Sequence, residues 1–277
     1  MRFLPVVAVV LLAACSAQDA PTPAPATATA TEARASASVA NPAPAASASA
    51  SARSGGAVSV ESDDGVLEFT YKHPAEVGAI PALAALLRAE ADEARAEARK
   101  AALEDRTAAT ADGYEYHTHS LGIVWKVVTR TPRFLSLSNS FYSFTGGAHG
   151  NYGFEGLVWD RQANRQLAAT DLFVSTAALK AAVLKPFCAG LDAERRKKGI
   201  EPPADDDTVF PRCVDPVGEA TIVPGSTNRR AINRIGFLID PYVAGSYAEG
   251  SYEVTLPVTA AVLAAVKPQY RDAFAAR

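Results

Sequence analysis

Histidine, cysteine and tryptophan are scarce in this chain of 277 residues, which contains 4 histidines, 3 cysteines and 2 tryptophans. The cysteines, Cys15, Cys188 and Cys213, form no Cys-x-x-Cys pair, which excludes the usual redox and zinc motifs. The Gly-x-Ser-x-Gly turn of serine hydrolases is also absent. There is no basic stripe with interleaved aromatic residues, and the formal net charge is -3, so nucleic acid is not an expected partner.

The first residues are typical of an export signal. Arg2 precedes "FLPVVAVVLLAA", an apolar run that is too short to span a bilayer as a helix. The run ends in "LAAC", which resembles the cleavage site of lipoprotein signal peptidase. We therefore predict a signal peptide at residues 1–14 and a lipidated, palmitate-bearing Cys15. The alternative is an ordinary secretory signal in which Cys15 is incidental.

The residue after Cys15 bears on localisation. It is Ser16 and not aspartate, which resembles the outer-membrane sorting pattern of Gram-negative lipoproteins. Loss of Arg2 with the signal changes the formal charge from -3 to -4, and no second apolar segment of membrane-spanning length follows. We therefore expect an exported protein anchored by lipid at the periplasmic face of the outer membrane.

Residues 15–56 consist almost wholly of alanine, serine, threonine and proline. Such a segment buries too little apolar surface to offset its ordering entropy, so we predict a disordered tether. The remainder is long enough for two subdomains of similar size, which we place at residues 57–165 and 166–277. Cys188 and Cys213 are an even pair in an exported chain, and an oxidising compartment favours a disulfide between them over two free thiols.

The first half of the folded part alternates between strand and helix patterns. "AVSVESDDGVLEFTYKHP" predicts a strand, or a hairpin across "DDG". The Ala-, Glu- and Arg-rich run from Pro81 predicts a long helix, whose apolar stripe narrows from leucine to alanine. Three strand patterns follow it, and "DRQANRQL" is typical of a turn.

The second half repeats this alternation. We predict a helix capped by Ser175 or Thr176, which Pro186 kinks or divides. Two strands, Ile235 to Ile239 and Ser251 to Leu256, precede a short terminal helix. Strands in runs beside few helices indicate an α+β fold, with antiparallel sheets and helices packed on one face.

Two stretches resemble a known family. "YSFTGGAHGNYGFEGLVWDRQANRQLAATDLF" is similar to the junction of two domains shared by the extracytoplasmic part of the anti-sigma factor RsiV and the accessory region of the peptidoglycan deacetylase PdaC. "FLIDPYVAGSYAEGSYEVTLP" is similar to the end of the second domain, so that the resemblance covers about Val58 to Leu256. In RsiV-like proteins this region binds lysozyme. In PdaC-like enzymes a separate domain with Asp and His-x-x-x-His metal motifs performs the chemistry, and this sequence shows neither that domain nor those spacings.

The resemblance and the residue types together indicate candidate ligand-binding residues. They are His149, Gly146, Gly147, Asn151, Tyr242, Tyr247 and Glu249. His149 would need a nucleophile or acid and an orienting group to act as a catalytic base, and the sequence completes no such set. We expect His149 to serve the backbone or a ligand. The tyrosines would either contact sugar rings or a protein, or pack back over the sheet edge.

A second histidine pair is a weaker candidate. His117 and His119 are two residues apart, so on a strand they would share a face with Glu115 and could bind one metal. No third ligand is located, and we predict no metal, no cofactor and no catalytic residue.

The sequence thus favours a non-enzymatic envelope lipoprotein that binds a peptidoglycan fragment or a lysozyme-like protein. The alternatives are an envelope glycan hydrolase or deacetylase-like enzyme that uses His149, and a structural or assembly lipoprotein.

Overall fold

The computed structural model describes residues 55–205 and 209–277. The predicted signal peptide, Cys15 and nearly all of the predicted tether lie outside the described residues. The predicted α+β fold is confirmed: one six-stranded sheet and one three-stranded sheet are combined with few helices. Among the described residues, no helix is long and apolar enough to cross a membrane.

Six strands form the larger sheet, in the order of the chain. They are β1 (Val58–Asp63), β2 (Leu67–His73), β3 (His119–Arg130), β4 (Phe134–Phe144), β5 (Asn151–Asp160) and β6 (Arg165–Leu167). β1 and β2 form the predicted hairpin, and β5 and β6 turn through Asn164, whose φ is 50°. The predicted antiparallel pairing holds for the other neighbouring strands of this sheet, but β2 and β3 are parallel. A parallel pair needs a long crossover, and the helices between these strands supply it.

Two helices make this crossover, α1 (Ala75–Gly78) and α2 (Pro81–Asp112). The first residue of α2 is Pro81, and its missing backbone N–H costs no hydrogen bond, because the N–H groups of the first helical turn have no partner within the helix. Gly113 ends the helix with a φ of 76°. Leu83 and Leu87 are buried on one face of the larger sheet. They pack with a core that includes Phe69, Tyr71, Trp125, Leu135, Leu137, Leu157 and Trp159.

The smaller sheet carries a second core. It contains β7 (Thr221–Gly225), β8 (Arg234–Ile239) and β9 (Tyr252–Pro257), all antiparallel, and it is accompanied by α3 (Thr176–Lys197) and α4 (Ala260–Ala265). Phe187 of α3 meets Phe237 of β8 edge to face, with ring centroids 5.2 Å apart. Phe134 and Val158 of the larger sheet join this core from the face opposite α2.

The structure decides two points that the sequence left open in this half, and it adds a strand that was not predicted. The structure extends α3 through Pro186 without dividing it, and Ser175 is its cap, since Ser175 Oγ accepts a hydrogen bond from the Ala178 N–H at 3.0 Å. β7 was not predicted, because it is short and contains Pro224. Its place at the edge of the smaller sheet explains why proline is tolerated there.

α3 is also tied to irregular segments of the chain. A disulfide joins Cys188 to Cys213, with Cα atoms 5.2 Å apart. Arg195, which is 1% exposed, donates to the carbonyl oxygens of Pro211 at 2.9 Å and Ala244 at 2.7 Å. A buried guanidinium needs such acceptors. The helix therefore holds both the segment that follows it and the loop between β8 and β9.

Candidate functional site

The hairpin between β4 and β5 depends on glycine at its tip. Gly146 and Gly147 have φ values of 86° and 93°, in the left-handed region that favours residues without a Cβ atom. His149 and Gly150 follow, and β5 begins at Asn151, which is exposed. The loop places the His149 ring against the loop between β8 and β9.

His149 and Tyr247 meet face to face there. Their ring centroids are 3.9 Å apart and their planes are inclined by 17°. His149 Nδ1 lies 3.0 Å from the Gly150 carbonyl oxygen, and the Tyr247 hydroxyl donates to the same oxygen at 2.6 Å. Because a carbonyl oxygen can only accept, Nδ1 is the donor in this contact. The Tyr242 hydroxyl lies 3.5 Å from Nε2.

Further tyrosines complete what we call the aromatic cluster, which consists of His149, Tyr142, Tyr152, Tyr242 and Tyr247. Tyr142 and Tyr152 are opposite each other on β4 and β5. The rings of Tyr152 and Tyr242 lie 6.0 Å and 5.5 Å from that of Tyr247. Tyr142 and Tyr242 remain 43% and 54% exposed, so the cluster presents an aromatic surface to solvent.

The environment of the cluster changes the pKa of the Tyr247 hydroxyl, which lies at its centre. Desolvation raises the pKa of Tyr247, and the neighbouring Tyr152, Tyr142 and Tyr242 raise it further. The phenol therefore stays protonated at neutral pH and remains a hydrogen-bond donor.

Tyr242 adopts an unusual backbone conformation. Its φ is 69°, although it has a bulky side chain. Such a conformation costs a non-glycine residue roughly 1–2 kcal/mol. The loop between β8 and β9 therefore holds an exposed tyrosine in a strained position, and strain of this kind often occurs at functional sites.

Glu249 does not face the surface of the cluster. Its carboxylate accepts hydrogen bonds from the Ser246 N–H at 2.9 Å and from the Tyr252 hydroxyl at 2.6 Å. Burial alone would raise the pKa of Glu249, but the hydrogen bonds from Tyr252 and Ser246 outweigh it, and the pKa is lowered. We assign Glu249 to the internal structure of the loop.

The two predicted glycines, Gly146 and Gly147, line a separate pocket. This pocket, of about 470 Å³, is enclosed by the end of α2, the segment before β3 and the hairpin tip. Gly146 and Gly147 form one wall of it, and His119 and Asp105 form part of another. His119 is 3% exposed, and its Nε2 lies 3.0 Å from Asp105 Oδ2. The hairpin tip therefore borders both this pocket and the aromatic cluster, and His149 belongs to the cluster.

The proposed pairing of His117 with His119 on one strand face is wrong. β3 begins at His119, whereas His117 lies in the irregular segment before it and is exposed. His119 turns inward to Asp105 and stacks on Tyr116, with ring centroids 5.8 Å apart. Across residues 55–205 and 209–277, no group of three or more His, Cys, Asp or Glu side chains could hold a metal ion.

Comparison with known proteins supports the predicted resemblance for part of the chain. Residues 60–152 match the family model Deacetylase PdaC. No curated protein matches the chain. The matched range, which we call the PdaC-type domain, comprises β1 to β4 and the beginning of β5.

A solved structure has a similar fold over more of the chain than the family model matches. A DUF3298 family protein from Pseudomonas aeruginosa is 20% identical and has a TM-score of 0.52, with 80% of this chain and 96% of that chain covered. A member of the DUF3298 family from Bacteroides fragilis is 16% identical and has a TM-score of 0.48, with 73% of this chain and 89% of that chain covered. At 20% identity the likeness to the Pseudomonas aeruginosa protein concerns the fold alone.

The aromatic cluster joins the PdaC-type domain to the chain beyond it. Tyr142, His149 and Tyr152 lie within the matched residues, whereas Tyr242 and Tyr247 come from the smaller sheet. The sequence prediction brought together His149, Tyr242 and Tyr247 but missed Tyr142 and Tyr152. Alternation within a strand distinguishes its two faces, but whether Tyr142 and Tyr152 lie on the same face depends on the register across the hairpin.

Proposed function

We propose that this protein is a non-enzymatic, lipid-anchored envelope protein that binds a cell-wall ligand through the aromatic cluster. One observation supports the proposal above all, namely the exposed stack in which His149, Tyr242 and Tyr247 meet from two distant parts of the chain. Tyrosine offers a flat apolar face with a polar edge, which suits both sugar rings and protein hot spots.

The preferred ligand is a peptidoglycan fragment. A sugar ring also has apolar faces and polar edges, and the rings of Tyr142 and Tyr242 are open to solvent beside the stack. The strained backbone of Tyr242 supports a role in binding, because packing within the loop does not require an exposed side chain to be held there. A lysozyme-like protein is the second candidate, and the PdaC-type resemblance favours it, since related regions of RsiV-like proteins bind lysozyme.

The state of His149 disfavours a catalytic role. Nδ1 faces the Gly150 carbonyl oxygen, and Nε2 faces the hydroxyl of Tyr242. In the usual catalytic set a carboxylate orients Nδ1 and a nucleophile donates its proton to Nε2, whereas here Nδ1 faces a backbone carbonyl oxygen and the neighbour of Nε2 is a tyrosine hydroxyl. The competing hypothesis is a glycan hydrolase or deacetylase-like enzyme that uses His149. It predicts turnover of purified peptidoglycan that His149→Ala abolishes without changing the melting temperature.

The test of the binding proposal is a sedimentation assay of the purified protein on peptidoglycan sacculi, with a parallel calorimetric titration against lysozyme. We expect retention by the sacculi and its loss in Tyr242→Gly. Glycine is favoured at a φ of 69°, so this variant should be at least as stable as the parent protein, and lost binding would not reflect unfolding. Tyr114→Ala is the matched control, because Tyr114 is 57% exposed and is not part of the cluster.

Each result decides between the ligands. Retention that depends on Tyr242 supports the peptidoglycan ligand, whereas binding to lysozyme alone supports the protein ligand. Failure of both would overturn the proposal and favour a structural or assembly lipoprotein, for which crosslinking should then identify a stoichiometric partner. The lipid anchor has its own test, since Cys15→Ser should release the protein from the membrane fraction.

A further inference from the structure

α2 covers only part of the face of the larger sheet on which it lies. Leu83 and Leu87 fill the space under its first turns, but alanines follow at positions 91, 94 and 98. An alanine side chain does not reach the sheet as leucine does, so a cleft of about 510 Å³ remains between helix and sheet. Its lining includes the apolar side chains of Leu121, Ile123, Trp125 and Phe141.

Two carboxylates stand at the cleft, Glu90 on α2 and Glu155 on β5. Asn139 fixes one of them, since its Nδ2 donates to Glu155 Oε2 at 2.9 Å. The Asn139 amide is itself held, because its Oδ1 accepts from the Val124 N–H at 2.9 Å and the residue is only 2% exposed. The buried side chain of Asn139 thus positions the carboxylate of Glu155, although Glu155 itself is exposed to solvent.

The negative charge of the cleft is not balanced by the protein's own cations. Arg88 pairs with Asp92 at 2.8 Å, and Arg95 donates to Ser62 Oγ at 3.0 Å. Across the described ranges 55–205 and 209–277, neither glutamate is in an ion pair with a lysine or arginine. Burial raises the pKa of Glu90, and the charge of Glu155 raises it further. The two carboxylates therefore repel each other across the cleft.

We propose that this cleft binds a lysine or arginine side chain presented by a partner polypeptide. The aliphatic stem of such a side chain can lie along Ile123 and Trp125, while its cationic end reaches the carboxylates. A neutral sugar would leave the repulsion between the two carboxylates in place, whereas a cation relieves it. This site is separate from the aromatic cluster, and the proposal does not depend on which ligand that cluster binds.

The two tryptophans of the chain provide the test. Both belong to the buried core under α2, but Trp125 lines the cleft and Trp159 does not. We would titrate the 15N-labelled protein with acetyl-Gly-Lys-Gly-amide and follow the two indole N–H signals. The Arg peptide and the uncharged norleucine peptide of the same length are the comparison ligands.

We expect the Lys and Arg peptides to shift the Trp125 signal to saturation and to leave the Trp159 signal in place. The conservative variants Glu90→Gln and Glu155→Gln should each weaken binding roughly threefold to tenfold. Glu93→Gln is the matched control, since Glu93 is exposed on the same helix and does not line the cleft.

Three outcomes would overturn the proposal. The first is that the Trp125 signal does not move. The second is that the norleucine peptide binds as tightly as the Lys peptide, because the cleft would then recognise only apolar groups. The third is that neither glutamine variant weakens binding more than Glu93→Gln does. None of these outcomes bears on the sacculus assay, so the two proposals fail independently.

Discussion

The two long helices are attached to the protein in different ways. The buried face of α3 consists of Leu179, Val183, Phe187 and Leu191, each fully buried, and a disulfide adds a covalent link. The buried face of α2 begins with leucine and continues with alanine, and its second half is linked to its surroundings by polar side chains. Arg95 binds Ser62 and Arg99 binds Asp64, both on the β1–β2 hairpin, and Asp105 contacts His119.

The size of the side chains on the buried face of a helix therefore determines whether the space between the helix and its sheet is filled. Large apolar residues at every helical repeat of α3 produce a packed core without room for a ligand. Alanine at the equivalent repeats of α2 leaves a cleft, and polar contacts at its edges hold the helix in place. Substitutions on and around the two helices test this difference, and their expected effects on the free energy of unfolding decrease from Phe187 in α3 to Ala94 in α2.

The largest loss is expected for Phe187→Ala. Removing a fully buried phenylalanine leaves a cavity and should lower the free energy of unfolding by about 3–5 kcal/mol. Urea denaturation with the disulfide intact measures it. Leu184→Ala on the same helix is the control, because Leu184 is 37% exposed, and it should cost less than about 1 kcal/mol. Equal losses for the two variants would show that this face of α3 is not a tightly packed core.

Removal of the disulfide should have the next largest effect. In the chain-entropy model a loop closed over 25 residues contributes about 3 kcal/mol. We therefore expect the double variant Cys188→Ser, Cys213→Ser to lose about that much in chemical denaturation. The parent protein under reducing conditions should behave in the same way. If both remain as stable as the oxidised protein, the apolar face of α3 is sufficient by itself.

Asp64→Asn tests the polar attachment of α2 and should cost about 1 kcal/mol at neutral pH. The hydrogen bond from Arg99 is the main reason that the pKa of Asp64 is lowered from 3.8 to about 2. A lowered pKa in the folded state stabilises the protein above the pKa of the unfolded state, so this contribution is complete above about pH 4. It declines as the pH falls towards 2.

The measurement is the free energy of unfolding of the parent protein and of Asp64→Asn across this pH range. The difference between them should diminish from neutral pH to pH 2. Glu97→Gln, an exposed change on the same helix, should show a smaller difference at neutral pH. A difference for Asp64→Asn that is independent of pH would contradict the assigned cause.

Ala94→Leu should have the smallest effect on stability and the clearest effect on the cleft. The added atoms occupy empty space above the sheet, and leucine is a good helix former, so the free energy of unfolding should change by less than about 1 kcal/mol. The response of the Trp125 indole signal to the Lys peptide should be lost. Ala96→Leu, which is exposed on α2 outside the cleft, should leave that response unchanged.

Sequence reasoning predicted the elements of the fold better than their arrangement. Helix α2, the cap at Ser175 and the β1–β2 hairpin all follow from local patterns, since each depends on residues close together in the chain. The parallel pairing of β2 with β3 was missed, because it depends on how the chain crosses over the sheet. β7 was missed because Pro224 argues against a strand unless its place at an edge is known.

The candidate site also combines features that local patterns predict with features that depend on tertiary contacts. The glycine-rich turn and the loop containing Tyr242 and Tyr247 were selected from their residue types. The inward orientation of Glu249 and the contact of His119 with Asp105 depend on tertiary packing that no local pattern reveals. Glu90 and Glu155 carry no motif, and they share a cleft because α2 crosses the sheet at that point.

The sequence by itself determined the α+β class, the helices and their apolar faces, and the residues from which an aromatic surface could be built. These properties depend on side-chain size, periodicity and turn chemistry, which act over a few residues. Only the tertiary structure decided that His149 stacks on Tyr247, and that the alanines of α2 lie above Trp125 and leave a cleft. Such contacts join residues that are far apart in the chain, so they form only when the sheets and helices have packed together.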